Sequence, residues 1–214
     1  MPNLTNADVA NLSQLVRTAT ARAHSSAENS AFIVALMGGE LSLADYERYL
    51  AQYAWIYEAL EERAHVASDP AIIDPGLDRF ASLEHDLAAL TSDSDASDWR
   101  VRHRVLPATA AYVSRLHDID SSDLPRYLAH HYTRYLGDLS GGQAIARLVA
   151  RHYGATDDQL SFYRFEGIDA VPFKRQYRHG LDQLGFDGAE VATFLAEASE
   201  SFRLNSALFA DLAQ

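Results

Sequence analysis

Asp138 stands directly after Gly137 in a stretch, residues 135–154, that otherwise reads as helix: YLGDLSGGQAIARLVARHYG. Leu136, Ile145, Leu148 and Val149 recur at helical spacing, and Ala, Arg and Gln are good helix formers. Gly137, Gly141 and Gly142 sit inside that pattern, each at a cost of about 1 kcal/mol against alanine in a helix interior. Gly137 and Gly141 are four apart and so share a face. Bare backbone lets something approach closely, either a second helix or a flat ligand, and glycine also permits a kink there. A carboxyl at Asp138, a guanidinium at Arg134 and phenols at Tyr132 and Tyr135 beside such a platform fit a hydrogen-bonded water site that can deliver a proton. The plainer alternative is a surface Arg134–Asp138 pair at i, i+4, worth only about 0.3–0.5 kcal/mol.

LSGGQ, residues 139–143, also matches the signature pentapeptide of transporter ATPases, but that chemistry needs a phosphate-binding loop ending in Gly-Lys-Ser/Thr. The only lysine is Lys174, in VPFKRQ, with no glycine loop before it. The chain has no cysteine, which removes disulfides, thiolate ligands and cysteine nucleophiles together. A net charge of −12 argues against nucleic acid as a partner, because phosphate binding wants a basic footprint. Glu62 and His65 form one Glu-x-x-His motif; a helical di-iron site would need a second, and none is found.

The elements that must position these groups are helices. Alternating strand patterns are nearly absent, and 48% hydrophobic residues over 214 positions allow a sizeable core. A first helix is expected from near Thr5 through His24. A second opens at Ser42 with an acid, Asp45, three residues on, and continues to Ala67. Residues 69–78, with Pro70 and Pro75, read as a loop, 81–90 as a short helix, and 91–98 as a polar connection. Residues 108–119 form another helix, and the next begins with Pro125 in its first turn and runs into the glycine stretch. Asp169 caps a helix stopping at Gly185, and Asp187 with Glu190 caps the last. Such spacing predicts one all-α domain, residues 1–214, of about seven or eight helices. The start has no signal-peptide pattern and no run approaches a membrane span, so a soluble cytoplasmic protein, by default a monomer, is expected.

TRYLGDLSGGQ (133–143), together with HSSAEN (24–29), resembles the heme oxygenases. WIYEALEER (55–63), PATAAYVSRL (107–116), AHHYTRYLGDLSGGQ (129–143), FKRQYR (173–178) and SFRLNSALF (201–209) look like segments of that family in its order. The lack of a hydrophobic tail resembles the soluble bacterial members. The likeness implies a single-domain helical bundle holding heme b between a proximal and a kinked distal helix. By the same likeness His24 is the axial iron ligand, and Glu28, four residues on, can take its Nδ1 proton and aim Nε2 at iron. Gly137, Gly141 and Gly142 become the opposite wall. Asp138 becomes the distal acid, acting through a held water rather than by direct contact. Tyr57, Arg134 and Asn205, with Tyr112, order that water.

Arg17, Lys174, Arg178 and Tyr132 are matched to the groups that meet the heme propionates, and Phe202 to the heme-contacting set. The family often has lysine where Arg17 stands, which keeps the charge but changes the pairing geometry. The activity implied is O2- and electron-dependent opening of heme at a meso carbon, the α position by this pattern. The products are biliverdin, CO and ferrous iron, and the electrons come from an external reductase or ferredoxin. The alternative is a heme-binding or storage protein of the same fold, which would have no use for a distal acid.

Overall fold

The computed structural model describes residues 11–91 and 98–214. These contain nine α-helices: α1 (Leu12–Glu28), α2 (Ala31–Gly38), α3 (Leu43–Glu61), α4 (Phe80–Leu90), the single turn α5 (Trp99–Arg102), α6 (Pro107–His117), α7 (Leu124–Tyr153), α8 (Ala170–Asp182) and α9 (Gly188–Leu212). Short 3-10 turns lie at Pro75–Leu77, Asp157–Gln159 and Ser161–Tyr163. No strand occurs among the described residues. None of their helices is long and apolar enough to cross a membrane. The expected start near Thr5 and most of the polar connection at 91–98 lie outside the described residues.

Local chemistry sets most of the helix ends. Ser42 and Asp45 close a reciprocal capping box on α3, and Asp187 and Glu190 do the same for α9. Asp123 and Asp169 accept from first-turn backbone N–H groups of α7 and α8. Gly154 ends α7 with φ 71°, a conformation other residues rarely adopt. The helix from Ser42 stops at Glu61, short of Ala67, and the Glu61 carboxylate lies at the N-terminus of α4. There it accepts from the backbone N–H groups of Arg79 and Phe80. Helix α2 was not expected. Its sequence, AFIVALMG, is apolar all round and carries no polar face from which a period could be read.

Helix α9 packs on α7, α1, α6 and α2, while α3 packs on α4, α6 and α7. The core runs along α3, where Tyr46, Leu50, Ala54, Ile56 and Tyr57 are fully enclosed, and along the facing sides of α7 and α9. Helix α8 joins the remaining side through contacts with α1 and α7. This arrangement brings α1 and the middle of α7 onto opposite sides of one opening.

Candidate active site

A cavity of about 560 Å3 opens between α1, α7 and α9, within the range of small-molecule and cofactor pockets. Arg17, His24 and Glu28 of α1 line one wall. Tyr132, Arg134, Gly137, Asp138, Gly141 and Gly142 of α7 line the facing wall, with Phe202 and Asn205 of α9 and Arg178 of α8 at the sides. The two groups expected on opposite sides of a flat ligand, an imidazole and a bare helix face, thus share one cavity.

The imidazole wall is simple. His24 Nδ1 lies 3.3 Å from a Glu28 carboxylate oxygen, one turn on, and both side chains are open to the cavity and to solvent. A carboxylate there favours the Nδ1–H tautomer and leaves Nε2 as the free lone pair. The Phe202 ring stands edge-on to the imidazole, with centroids 5.8 Å apart. It limits how far the ring can turn.

Helix α7 stays helical through all three glycines, so none is needed for a left-handed backbone; the positive φ values among the described residues lie elsewhere. A Cβ added at Gly137 or Gly141 would meet nothing within 4 Å. These two glycines therefore do not admit another helix; they leave open space. Gly142 carries a second requirement that the sequence did not show. It borders the cavity, but a Cβ there would lie 2.8 Å from Cδ1 of Tyr163, so glycine is required by packing inside the protein.

Asp138 does not form the surface pair with Arg134; no ion pair joins them. Its carboxylate accepts a hydrogen bond from the Tyr57 hydroxyl of α3. Burial pushes the Asp138 carboxyl up to about 6, against the opposing pull of Arg134 and of the Tyr57 hydrogen bond. Such a group titrates close to neutrality, where it can both hold and release a proton. Tyr57 itself is enclosed, and burial and then the Asp138 charge raise its phenol well above the ordinary range. It reaches the cavity only through Asp138.

Arg134 is buried and donates from Nη1 to Asn205 Oδ1 at 2.8 Å. Both residues line the cavity, as expected. Tyr112 stands one step back. Its hydroxyl pairs with Ser201 Oγ at 2.6 Å, and Ser201 in turn pairs with Thr133 Oγ1 at 2.6 Å. Ser201 and Thr133 border the cavity and were not singled out in the sequence.

The basic groups divide. Arg17 and Arg178 border the cavity, and both act on the half-buried Tyr132 phenol. Burial raises that phenol, and the two guanidinium charges pull it back. Lys174 departs from expectation. Its Nζ reaches α7 instead of the cavity, lying 3.4 Å from the Leu139 carbonyl and 3.2 Å from Ser140 Oγ. Ser140 borders the cavity, so Lys174 fastens the rim and does not line it. In the single Glu-x-x-His motif, His65 pairs with Asp78 and Glu62 with His117, each at 3.1 Å, and no group of residues among those described could hold a metal ion.

Fold and cavity together define a bundle that is all-helical among the described residues, with a cavity bordered by an imidazole and by a helix face bare at Gly137 and Gly141. Comparison with known proteins narrows that class. The family model described as heme oxygenase matches residues 10–211. A heme oxygenase of Rhodella violacea is 33% identical over 208 residues, covering 94% of this chain and 87% of that protein. Heme oxygenase 1 of Gallus gallus is 36% identical, covering 92% of this chain and 68% of the other. Among solved structures, heme oxygenase-1 of the cyanobacterium Synechocystis in complex with heme superposes with a TM-score of 0.85 at 33% identity, covering 94% and 92% of the two chains. The heme oxygenase of Leptospira interrogans gives 0.82 at 35% identity, covering 94% and 98%. The chain belongs to the heme oxygenase family.

Proposed function

We propose that this chain binds heme in the α1–α7 cavity and, with O2 and electrons from an external reductase or ferredoxin, opens it at a meso carbon to biliverdin, CO and ferrous iron. One observation carries the reading: His24 shares a cavity with a helix face on which Gly137 and Gly141 leave open space, and the acid beside that face is the partly buried Asp138. A neutral imidazole is a normal heme ligand, and a planar macrocycle needs a cradle without side chains, so the residues present fit the group. Heme, when bound, supplies the iron that takes electrons and O2 and the porphyrin edge that is oxidised.

The protein's part is to bind, orient and protonate. His24 holds one face, with its tautomer set by Glu28. Gly137 and Gly141 leave the space in which the macrocycle would lie against α7, and a side chain at either position would fill it. Asp138 holds a proton near neutrality, and Arg134 and Asn205 offer polar atoms that position water beside it. Arg17 and Arg178 pair with the propionates and fix the rotation of the ring, which selects the meso carbon; Tyr132 lies beside them. Lys174 acts indirectly, by holding Leu139 and Ser140 of the distal wall. The protein acts as a soluble monomer in the cytoplasm.

The test is to add heme and a reducing system in air. Loss of the heme absorption with appearance of a bile pigment and CO supports the reading. Stable, unaltered heme under the same conditions would make the protein a carrier.

A further inference from the structure

Arg134 is a charged side chain only 6% exposed, and no carboxylate among the described residues forms an ion pair with it. Nη1 has the Asn205 oxygen, but Nε and Nη2 are buried without a partner. A buried guanidinium in that condition is costly unless something else compensates the charge. Three tyrosine faces surround it. Its central carbon lies 4.1 Å from the Tyr53 ring centroid, 5.0 Å from Tyr57 and 6.0 Å from Tyr112. A desolvated cation over an aromatic face is attracted by the ring quadrupole, so the cage holds the guanidinium in place while the Asp138 carboxylate acts on its charge without pairing to it.

The three rings are not equivalent. The Tyr57 hydroxyl is committed to Asp138 and that of Tyr112 to Ser201, and both rings are the more distant. Tyr53 is nearest, and its own ring is fixed from behind by Tyr49 at 4.3 Å and edge-on by Phe162 at 5.9 Å. It also borders the cavity. Tyr49, Tyr53 and Tyr57 succeed one another at i, i+4 and i+8 on α3, so one helix face presents the whole support.

We propose that Tyr53 is a positioning residue of this site: its ring is the shelf on which the Arg134 guanidinium rests, and it thereby sets where Arg134 and Asn205 present their polar atoms to the cavity. The inference rests on the function proposed above. Its first readout uses heme-free protein, so that failure of one can be told from failure of the other.

The experiment compares Tyr53→Phe, Tyr53→Leu and pentafluorophenylalanine at position 53, which keeps the shape of phenylalanine but reverses the ring quadrupole. In the heme-free protein, the Arg134 Nε–H resonance is expected to persist in Tyr53→Phe. It should shift and exchange faster with water in the leucine and fluorinated forms. With heme and electron donor, Tyr53→Phe is expected to rescue turnover to at least about half. The other two should lose about tenfold in kcat while heme affinity changes less than about threefold. The fluorinated form also covers the case in which Tyr53→Leu fails to fold. An unchanged Arg134 resonance in the fluorinated form would overturn the proposal. Equal losses in Tyr53→Phe and Tyr53→Leu would overturn it too, by showing that the hydroxyl and not the ring matters.

Discussion

Gly141 and Gly142 are adjacent on α7, yet they face different things. A methyl on Gly141 would project into open cavity, whereas one on Gly142 would press to 2.8 Å from the Tyr163 ring. One glycine is kept for the ligand and the other for the protein. The two requirements are separable by experiment, because only the first is absent when heme is absent.

Gly141→Ala is expected to stabilise the heme-free protein by about 1 kcal/mol, since it improves helix propensity and touches nothing. Gly142→Ala is expected to destabilise it by about 1–3 kcal/mol, since the enclosed Tyr163 ring has to move. Urea unfolding of the two variants measures both signs. Gly141→Leu extends the argument. It should fold as well as the parent but bind heme at least about tenfold more weakly, because its side chain fills the space reserved for the ring. Normal heme binding by Gly141→Leu would remove the cavity from the site.

The acid on the same helix predicts a pH-dependent stability. The Asp138 carboxyl titrates at about 6 in the folded chain, against 3.8 as its ordinary value. Between those values the folded form keeps a proton that the unfolded form has released, so stability falls as pH rises through that window. Above about pH 6 the full penalty remains, on the order of 2–3 kcal/mol for a carboxyl raised this far. Asp138→Asn removes the penalty and keeps an oxygen for the Tyr57 hydroxyl. Its thermal midpoint should exceed that of the parent at neutral pH, and the gap should close toward about pH 4. A gap that does not vary with pH contradicts the assigned titration. In the heme complex the same variant should lose about a hundredfold or more in ring opening, the usual worth of a placed proton donor, while heme affinity is kept.

What was legible beforehand was what lies within one element. The capping pairs Ser42–Asp45 and Asp187–Glu190 and Pro125 in the first turn of α7 are settled by residues a few positions apart, whereas the helix expected to stop at Gly185 ends earlier, at Asp182. The His24–Glu28 pair and the shared face of Gly137 and Gly141 follow from helical spacing in the same way. What was not legible depends on how helices cross. Lys174 shares a face with Arg178, yet its reach to Ser140 instead of the cavity is decided by how α8 lies on α7. Spacing left Gly142 off the face shared by Gly137 and Gly141, but what it meets there, the Tyr163 ring, comes from a separate segment. Tyr53 had a readable signal in the i, i+4 recurrence of tyrosines at 49, 53 and 57. The cation they enclose comes from another helix, so spacing alone could not say what the face was for.

His24 and Glu28 give a prediction about ligation. Removing the imidazole in His24→Ala should abolish the nitrogen-ligated spectrum of the ferric heme complex, and added imidazole should restore it by filling the space left. Glu28→Gln keeps the side chain's length but weakens the hold on Nδ1. Because the pair is solvent-exposed, the expected loss in heme affinity is less than about tenfold, below the usual effect of a buried partner to a ligand. An unchanged spectrum in His24→Ala would move the ligand to another histidine.

A last prediction concerns the link between the two helices that carry the cationic groups. Asp182, the final residue of α8, accepts from the Ser13 backbone N–H at 2.8 Å and from the Ser13 hydroxyl at 3.0 Å, at the start of α1. A carboxylate from another helix thus serves as a cap for the first turn of α1. The same contact fixes the position of α1, with Arg17 and His24, relative to α8, with Arg178. Asp182→Ala should therefore cost about 1–2 kcal/mol in unfolding free energy, the ordinary worth of a helix cap, and also weaken heme binding from a distance. Asp182→Asn retains an acceptor for the backbone N–H and a donor for the Ser13 hydroxyl, and should recover most of both losses. If Asp182→Ala lowers stability but leaves heme affinity intact, the cap supports α1 alone, and the spacing between the two cationic helices is set by their packing instead.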